Sequence, residues 1–254
     1  QEVIKMMSER QKLILNRLHK QGSVNVVDLV ELCHTSESTI RRDLAELDEQ
    51  GLLKRVHGGA TLIPKESNTT EDPLNERQNI HMDEKEQIGK YAAALIEAND
   101  VVYIDAGSTT LSLINHLKEK DALYITNGLM QAHMLSLKGY HVICIGGEIR
   151  GITGACVGAR TLQGISKYHF TKGFFGTNGV DVEHGFTTVD GEEAAIKEHA
   201  INHCAMRYVL CDKSKFQMVC PITFADIDDA IIITTHCDNT EINHLGTIVE
   251  VEKQ

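Results

Sequence analysis

No run of apolar residues in this 254-residue chain approaches the ~20 that a membrane-spanning helix needs. No signal-peptide pattern opens the sequence, and no membrane partner is expected. The seven cysteines include no C-x-x-C pair and sit mostly in apolar runs, which suits a reduced cytoplasm and predicts that location. Internal repeats and low-complexity tracts are absent. So are G-x-x-x-x-G-K-[ST] and G-x-G-x-x-G, so a nucleotide is not the favoured ligand. Basic charge is also scarce: 25 Lys and Arg stand against 36 Asp and Glu, for a net charge of -11. Taken whole, that balance argues against a nucleic-acid binder.

The distribution of that charge points the other way. Residues 1–60 hold nine basic and nine acidic side chains, leaving 16 and 27 for the remainder. A polyanion would be steered to the neutral N-terminal part, with its local basic clusters, and repelled by the rest. The length allows two domains.

Within residues 35–60, TSESTIRRDLAELDEQGLLKRVHGGA, Ser36 can cap a helix and Gly51 can close it in the left-handed region. Ile40, Leu44 and Leu47 form its buried stripe. At ~100° per residue, Ser38, Arg41, Arg42 and Ala45 fall on the opposite side. Small side chains flanking two guanidiniums can enter a major groove, where arginine grips guanine or phosphate with two hydrogen bonds. Residues 52–56 then read as a strand. His57-Gly58-Gly59 supplies a turn, and Lys54, Arg55 and His57 decorate a wing that can touch phosphates. Upstream, Ser8 and Gln11 have capping-box spacing. A first helix ends at Gly22, residues 23–26 are a short β-like link, and Asn25 and Asp28 cap a second helix with Leu29, Leu32 and Cys33 on its apolar face. Three small helices and a wing predict a winged helix-turn-helix over residues 1–62.

Residues 61–82 hold two of the three prolines and no sustained period. They read as a linker, taken as residues 63–74, with the second domain over 75–254. There, apolar runs at 101–104, 123–126, 141–145, 173–175, 208–211, 230–234 and 247–251 predict strands. Helical stretches lie between most of them, the first at 85–97 with Ile88, Ala92, Leu95 and Ile96 inward. The result expected is an α/β domain, a mostly parallel sheet covered on both faces.

Glycine, hydroxyl, amide and charge collect just after these strands, on the rim where such sheets bind ligands. Asp105-Ala106-Gly107-Ser108-Thr109-Thr110 runs straight into a helix whose free N–H groups and positive end would face an anion. Incoming phosphate needs local cations, and Lys85, Arg150, Lys197 and Lys215 are the candidates. Asp105, Asp190, Glu193 and Asp212 can accept hydrogen bonds from sugar hydroxyls. His199 and His203, four residues apart with Cys204 beside them, have a spacing that can hold zinc, but the H-E-x-x-H glutamate is missing and no metal is expected.

SESTIRRDL and LKRVHGGA resemble the DNA-binding domain of the DeoR family of bacterial transcriptional regulators. IDAGSTT, TNG, GGEIR, GTNGV, GFTTVDGEEAAIK and YVLCDKSKF resemble the same family's sensor domain, a fold similar to ribose-5-phosphate isomerase. The resemblance covers nearly the whole chain. It implies operator binding through the helix that starts at Ser36, Ser38 and Thr39, with Arg41 and Arg42 at the DNA. For the effector site it implies Lys85, Asp105, Thr109, Asn127, Arg150, Asp190, Lys197, Asp212 and Lys215, beside Gly107, Ser108 and Thr110 of the rim motif. DAGSTTL and DDAIIITT resemble the fructose-operon branch of the family, which makes fructose 1-phosphate the first ligand expected.

The sequence thus predicts a cytoplasmic repressor of a sugar-utilisation operon. It would bind double-stranded operator DNA as a homodimer or homotetramer, be released by a phosphorylated sugar, and need no cofactor or catalysis. The alternative is an active sugar-phosphate isomerase or deaminase joined to a DNA-binding module.

Overall fold

The structure is a computed structural model that describes residues 8–50, 52–61, 69, 71, 73–237 and 248–251, with only the backbone of His19 and Lys20. The chain divides into two compact units, Gln1–Lys65 and Glu66–Gln254.

In the first unit, Ser8 and Gln11 form the expected reciprocal cap at the start of α1 (Glu9–Gln21), and Gly22 ends it at φ 71°. β1 (Ser23–Asn25) leads into α2 (Val26–Cys33), capped by Asn25, and a His34 in the left-handed region turns the chain. Ser36 then caps α3 (Glu37–Glu49). Ile14, Leu18, Leu29, Ile40, Leu44, Leu47 and Leu53 from the three helices and their flank form one buried cluster. The hairpin of β2 (Lys54–Val56) and β3 (Gly59–Thr61) turns at Gly58, φ 82°. The short link read from the sequence is a true strand, since β1 pairs with β3 on the side away from β2. Gly51 and residues 62–63 lie outside the described residues, and Gln50 closes α3 in the right-handed region. Ala45, expected on the outward face, is half-buried.

The second unit begins with α4 (Leu74–Asn79), inside the stretch read as linker and at the start of the second domain. Pro73 precedes it, a position where a missing N–H costs nothing. Leu74 is buried and donates its N–H to the Ile152 carbonyl at 3.0 Å, so it belongs to the fold and not to a linker. Most of the rest of residues 63–74 lies outside the described residues. There follow α5 (Met82–Ala94), β4 (Val101–Ile104), α6 (Ser108–His116), β5 (Leu123–Thr126), α7 (Leu129–Leu137) and β6 (His141–Cys144). Then come β7 (Glu148–Ile149), β8 (Cys156–Val157), α8 (Ala159–Ile165), β9 (Phe170–Gly176), β10 (Gly179–Asp181), β11 (Gly185–Thr188) and α9 (Gly191–Asn202). The chain finishes with β12 (Cys204–Leu210), β13 (Ile222–Ala225), β14 (Ile231–Thr234) and β15 (Ile248–Glu250).

Seven strands form one sheet in the order β15-β14-β12-β9-β4-β5-β6, every pairing parallel. Alternate residues of one strand point to opposite faces, so Val102 and Ile104 join Ile88, Leu113, Ile114 and Leu135 of α5, α6 and α7. Tyr103 joins Ile165, Ala194, Ile196 and Ile201 of α8 and α9 on the other face. The result is the expected α/β layering, joined in one chain to a winged helix-turn-helix. From β4 the chain builds outward through β5 and β6. It then returns to the other side of β4 with β9, so the order reverses between β4 and β9.

Two features departed from expectation. The strand β9 begins earlier than its apolar run, because Lys172 interrupts the pattern; its ammonium reaches Asp100 at 2.7 Å and Glu97 at 3.0 Å, and β12 also begins earlier, where Cys204 pairs with Phe170 of β9. Two small antiparallel sheets, β7-β8 and β10-β11-β13, were not expected, since long-range pairing sets them; β7 and the start of β10 lie in glycine-rich stretches read as rim loops.

Gly59 tests the wing's packing, because a Cβ there would lie 2.0 Å from the Val24 carbonyl oxygen. Gly59→Ala should therefore destabilise the first unit by about 1–3 kcal/mol, as over-packed sites do. Chemical unfolding followed by far-ultraviolet circular dichroism measures this; an unchanged midpoint would mean that β1 does not pack on β3.

Candidate functional site

Two places gather the candidate functional side chains, one in each unit. In the first, Ser36 Oγ accepts from the Thr39 N–H at 3.3 Å and lies within 2.9 Å of Ser38 Oγ and 2.8 Å of Thr39 Oγ1. Three hydroxyls thus gather at the positive end of α3. The side chains of Arg41 and Arg42 are 62% and 82% exposed, each held by one carboxylate on its own helix: Arg41 by Glu37 at 2.5 Å, Arg42 by Glu46 at 3.1 Å. Exposed pairs of this kind contribute ~0–1 kcal/mol, so a DNA phosphate can replace either glutamate at little cost. Lys54, Arg55 and His57 are all exposed on the wing.

Sequence reasoning missed the brace behind this helix. Asp43 is buried on the core side of α3 and takes two hydrogen bonds from Arg10 of α1, at 2.5 and 3.0 Å. Gln11 adds a third link to Glu46 at 3.0 Å. The signal was Asp43 itself, an acid lying between Ile40, Leu44 and Leu47 that needs a partner.

In the second unit a crevice opens where the strand order reverses, the place where open α/β sheets bind ligands. It is lined by Ala106 and Gly107 after β4, Ser108 and Thr109 at the start of α6, and Gly176, Thr177 and Asn178 at the end of β9. Lys85 comes from α5, Glu193 and Lys197 from α9, Asp212 and Lys215 from the turn after β12, and Glu71, Arg77, Ile80 and His81 from the chain entering the unit.

The floor is fixed by charge. The Lys197 ammonium donates to Asp105 and, at 3.0 Å, to the Gly176 carbonyl; Asp105 accepts the Gly176 N–H at 3.1 Å. Lys197 and Asp105 side chains are 5% and 3% exposed. The first turn of α6 is fixed as well. Thr110 donates to the carbonyls of Asp105 (2.7 Å) and Gly107 (2.9 Å), and Gln131 donates to Gly107 (2.9 Å). The carbonyls are thereby engaged inward, while the first amides of α6 have no acceptor within the helix.

Lys85 is buried and donates to the Arg77 carbonyl. Burial pulls its pKa down to about 8, with Lys215 and Arg77 pushing the same way and Asp212 and Glu84 opposing. Burial raises the Glu193 carboxyl to about 7, helped by Glu71 and opposed by Lys197 and by the Thr153 hydroxyl that donates to it. Arg77 reaches Glu71 at 2.5 Å through Nη1, while its Nε and Nη2 are buried without a hydrogen-bond partner among the described residues. Lys215 forms no ion pair among the described residues. Three cations around a helix N-terminus, with unused donors, make a receptor for an anion such as a phosphate ester.

Of the residues expected at the effector, Lys85, Gly107, Ser108, Thr109, Lys197, Asp212 and Lys215 line this crevice, and Asp105 lies beneath it. Four others are placed elsewhere. The hydroxyl of Thr110 is spent on the loop's own carbonyls. Asn127 is buried, accepting from the Tyr103 hydroxyl at 2.9 Å and donating to the Cys156 carbonyl at 3.1 Å. Arg150 pairs with Asp190 at 2.8 Å and Glu192 at 2.7 Å, and Asp190 also caps α9. Arg77, Glu71, His81 and Asn178 were missed as ligand-side residues, because they sit in a polar linker-like stretch or after a strand that gave no sign of which way they turn. The His199 and His203 rings lie tilted at 44° with centroids 4.4 Å apart, and among the described residues no third ligand joins them.

A DNA reader and a separate ligand-binding α/β unit in one chain define a transcriptional regulator with its own sensor. The DeoR-like helix-turn-helix domain matches residues 10–66 and the DeoR C terminal sensor domain matches residues 80–236. The chain belongs to the DeoR family of DNA-binding transcriptional regulators. It is 41% identical to the uncharacterized HTH-type transcriptional regulator FruR of Bacillus subtilis (strain 168), over 96% of this chain and 98% of that one. It is 33% identical to a lactose phosphotransferase system repressor of Staphylococcus epidermidis, over 94% and 96%. With the glycerol-3-phosphate regulon repressor of Escherichia coli (strain K12) it shares 34%, over 82% of each chain. Among solved structures, ribose 5-phosphate isomerase A from Methanocaldococcus jannaschii aligns with 53% of this chain and 54% of its own, at 15% identity and a TM-score of 0.39, too slight a likeness to carry an argument.

The crevice sets a pH dependence. An arriving dianion raises the pKa of Lys85, so binding takes up a proton wherever free Lys85 is neutral, and ionised Glu193 repels the same anion. Affinity for a phosphate ester should therefore fall as pH rises from about 7 to 9, with Lys85→Arg abolishing the limb near 8. Calorimetric titration across that range checks it; a flat profile would place the anion away from both groups.

Proposed function

We propose that this regulator represses a sugar-utilisation operon and is released from its operator when a phosphorylated sugar, fructose 1-phosphate first, occupies the crevice. The observation that carries this reading is the cluster of Arg77, Lys85 and Lys215 at the start of α6, inside a unit that is otherwise acidic. Asp212, Asn178 and the Thr177 backbone offer neighbouring polar groups to sugar hydroxyls. The names of the FruR relative, the lactose phosphotransferase system repressor and the glycerol-3-phosphate regulon repressor favour a small phosphate ester of this kind. In this reading the protein acts in the cytoplasm as a homodimer or homotetramer, which sets two winged helices on half-sites of double-stranded DNA. It needs no metal or other cofactor.

A second reading has one observation in its favour. Glu193, at about 7, and Lys85, at about 8, share the crevice and have acid and base strengths suited to proton transfer near neutral pH. That reading requires turnover of a sugar phosphate, which product formation followed by NMR would reveal.

A thermal-shift series of phosphorylated hexoses and pentoses tests the ligand: fructose 1-phosphate should give the largest stabilisation, growing as RT ln(1 + [L]/Kd). No shift with any ester would overturn the reading. Lys215→Ala should hold operator DNA but fail to release it on addition of the ester, and normal release would remove Lys215 from the site. Arg41→Ala with Arg42→Ala should lose operator retention in a mobility-shift assay while keeping ester binding; unchanged retention would refute α3 as the reader.

A further inference from the structure

Of the carboxylates that line the anion crevice, one already sits on its arginine. Glu71, on the chain that enters the second unit, pairs with Arg77 Nη1 at 2.5 Å and accepts from Asn178 Nδ2 at 3.3 Å, and its side chain is largely buried. Asn178 stands at the end of β9, so Glu71 ties the entering chain to the sheet's switch point. The same guanidinium that holds Glu71 keeps Nε and Nη2 buried and unbonded. That is an incomplete ligand set, with one carboxylate where a phosphate with three acceptor oxygens would satisfy more donors.

We propose that Glu71 is an internal ligand of the anion site, and that a phosphate ester displaces it from Arg77 and Asn178, releasing the chain at Glu71 from the second unit. The inference rests on the crevice binding a phosphate, as argued above. A phosphate of charge about -2 and an ionised Glu71 cannot share one half-buried guanidinium without strong repulsion. Glu193, close enough for Glu71 to raise its pKa, adds a third negative group to that contest. The ester is the stronger competitor because it can also reach Lys85, Lys215 and the amides of α6. Release of Glu71 therefore converts occupancy of the crevice into a change at the point where the chain enters the second unit.

The test uses the full chain and fructose 1-phosphate, with inorganic phosphate as a second probe. Glu71→Gln removes the competing charge and should bind the ester about ten-fold more tightly, while holding operator DNA less well before any ligand is added. Glu76→Gln makes the same charge change at an exposed position of α4 and should leave ester affinity within about two-fold of the parent. In hydrogen exchange, peptides covering residues 71–80 should gain deuterium faster in the parent when the ester is added, and already do so in ligand-free Glu71→Gln. If the parent binds the ester while Glu71→Gln matches it in affinity and the peptides stay protected, the inference fails and the ligand reading stands. If the parent binds neither probe, both fail.

Discussion

The buried pair of Lys197 and Asp105 joins three elements that are distant in sequence. Asp105 ends β4, Gly176 ends β9, and Lys197 reaches in from α9, so the two strands flanking the reversal in sheet order are clamped at their carboxyl ends. Neither charge can be removed singly without leaving the other unpaired in the interior, a loss of about 3–5 kcal/mol. The clamp has a consequence for chemistry. It uses up the Asp105 carboxylate, which would otherwise repel an anion at the start of α6, and leaves the amides of that helix facing a crevice that also holds Lys85, Arg77 and Lys215. Thr110 and Gln131 complete the arrangement by holding the loop's carbonyls.

The two units solve opposite electrostatic problems. The first carries no net formal charge over residues 1–60, yet exposes Arg41, Arg42, Lys54 and Arg55. Its guanidiniums wait on surface glutamates, from which DNA can take them at small cost. The second is strongly acidic, and a small anion meets attraction where Lys85, Arg77 and Lys215 converge. Burial there makes Lys85 costly to keep charged, visible in its lowered pKa, and an incoming anion relieves that cost. The same surroundings that destabilise the empty crevice thus favour its occupation.

The fold was largely legible where one physical rule acted alone. β4 and β5 were read to the residue, because their apolar runs are buried on both faces and stop where the rim begins. The caps at Ser8, Asn25 and Ser36 were read equally well, since a capping oxygen acts within three residues of itself. Legibility ended where distant partners decide. Lys172 hid the start of β9 because its salt bridge to Asp100 cannot be seen from the run it interrupts. The crevice was legible as a rim but not in its orientation: Thr109 lines it while Thr110, the next residue, turns inward. Asn127 follows a strand like the other rim residues, yet is consumed by Tyr103 and Cys156. Arg77 and Glu71 were invisible because a polar stretch beside prolines reads as linker until Leu74 finds its place in the core.

The central claim is that an anion in the crevice and DNA on the winged helix oppose each other through one chain. The most direct measurement is the dissociation constant of fructose 1-phosphate, taken by calorimetry on the free protein and again on the protein saturated with operator DNA. The account predicts weaker binding to the DNA complex by a factor of about 5 to 150, matched by the factor with which the ester weakens DNA binding. Equal affinities in the two states would contradict it.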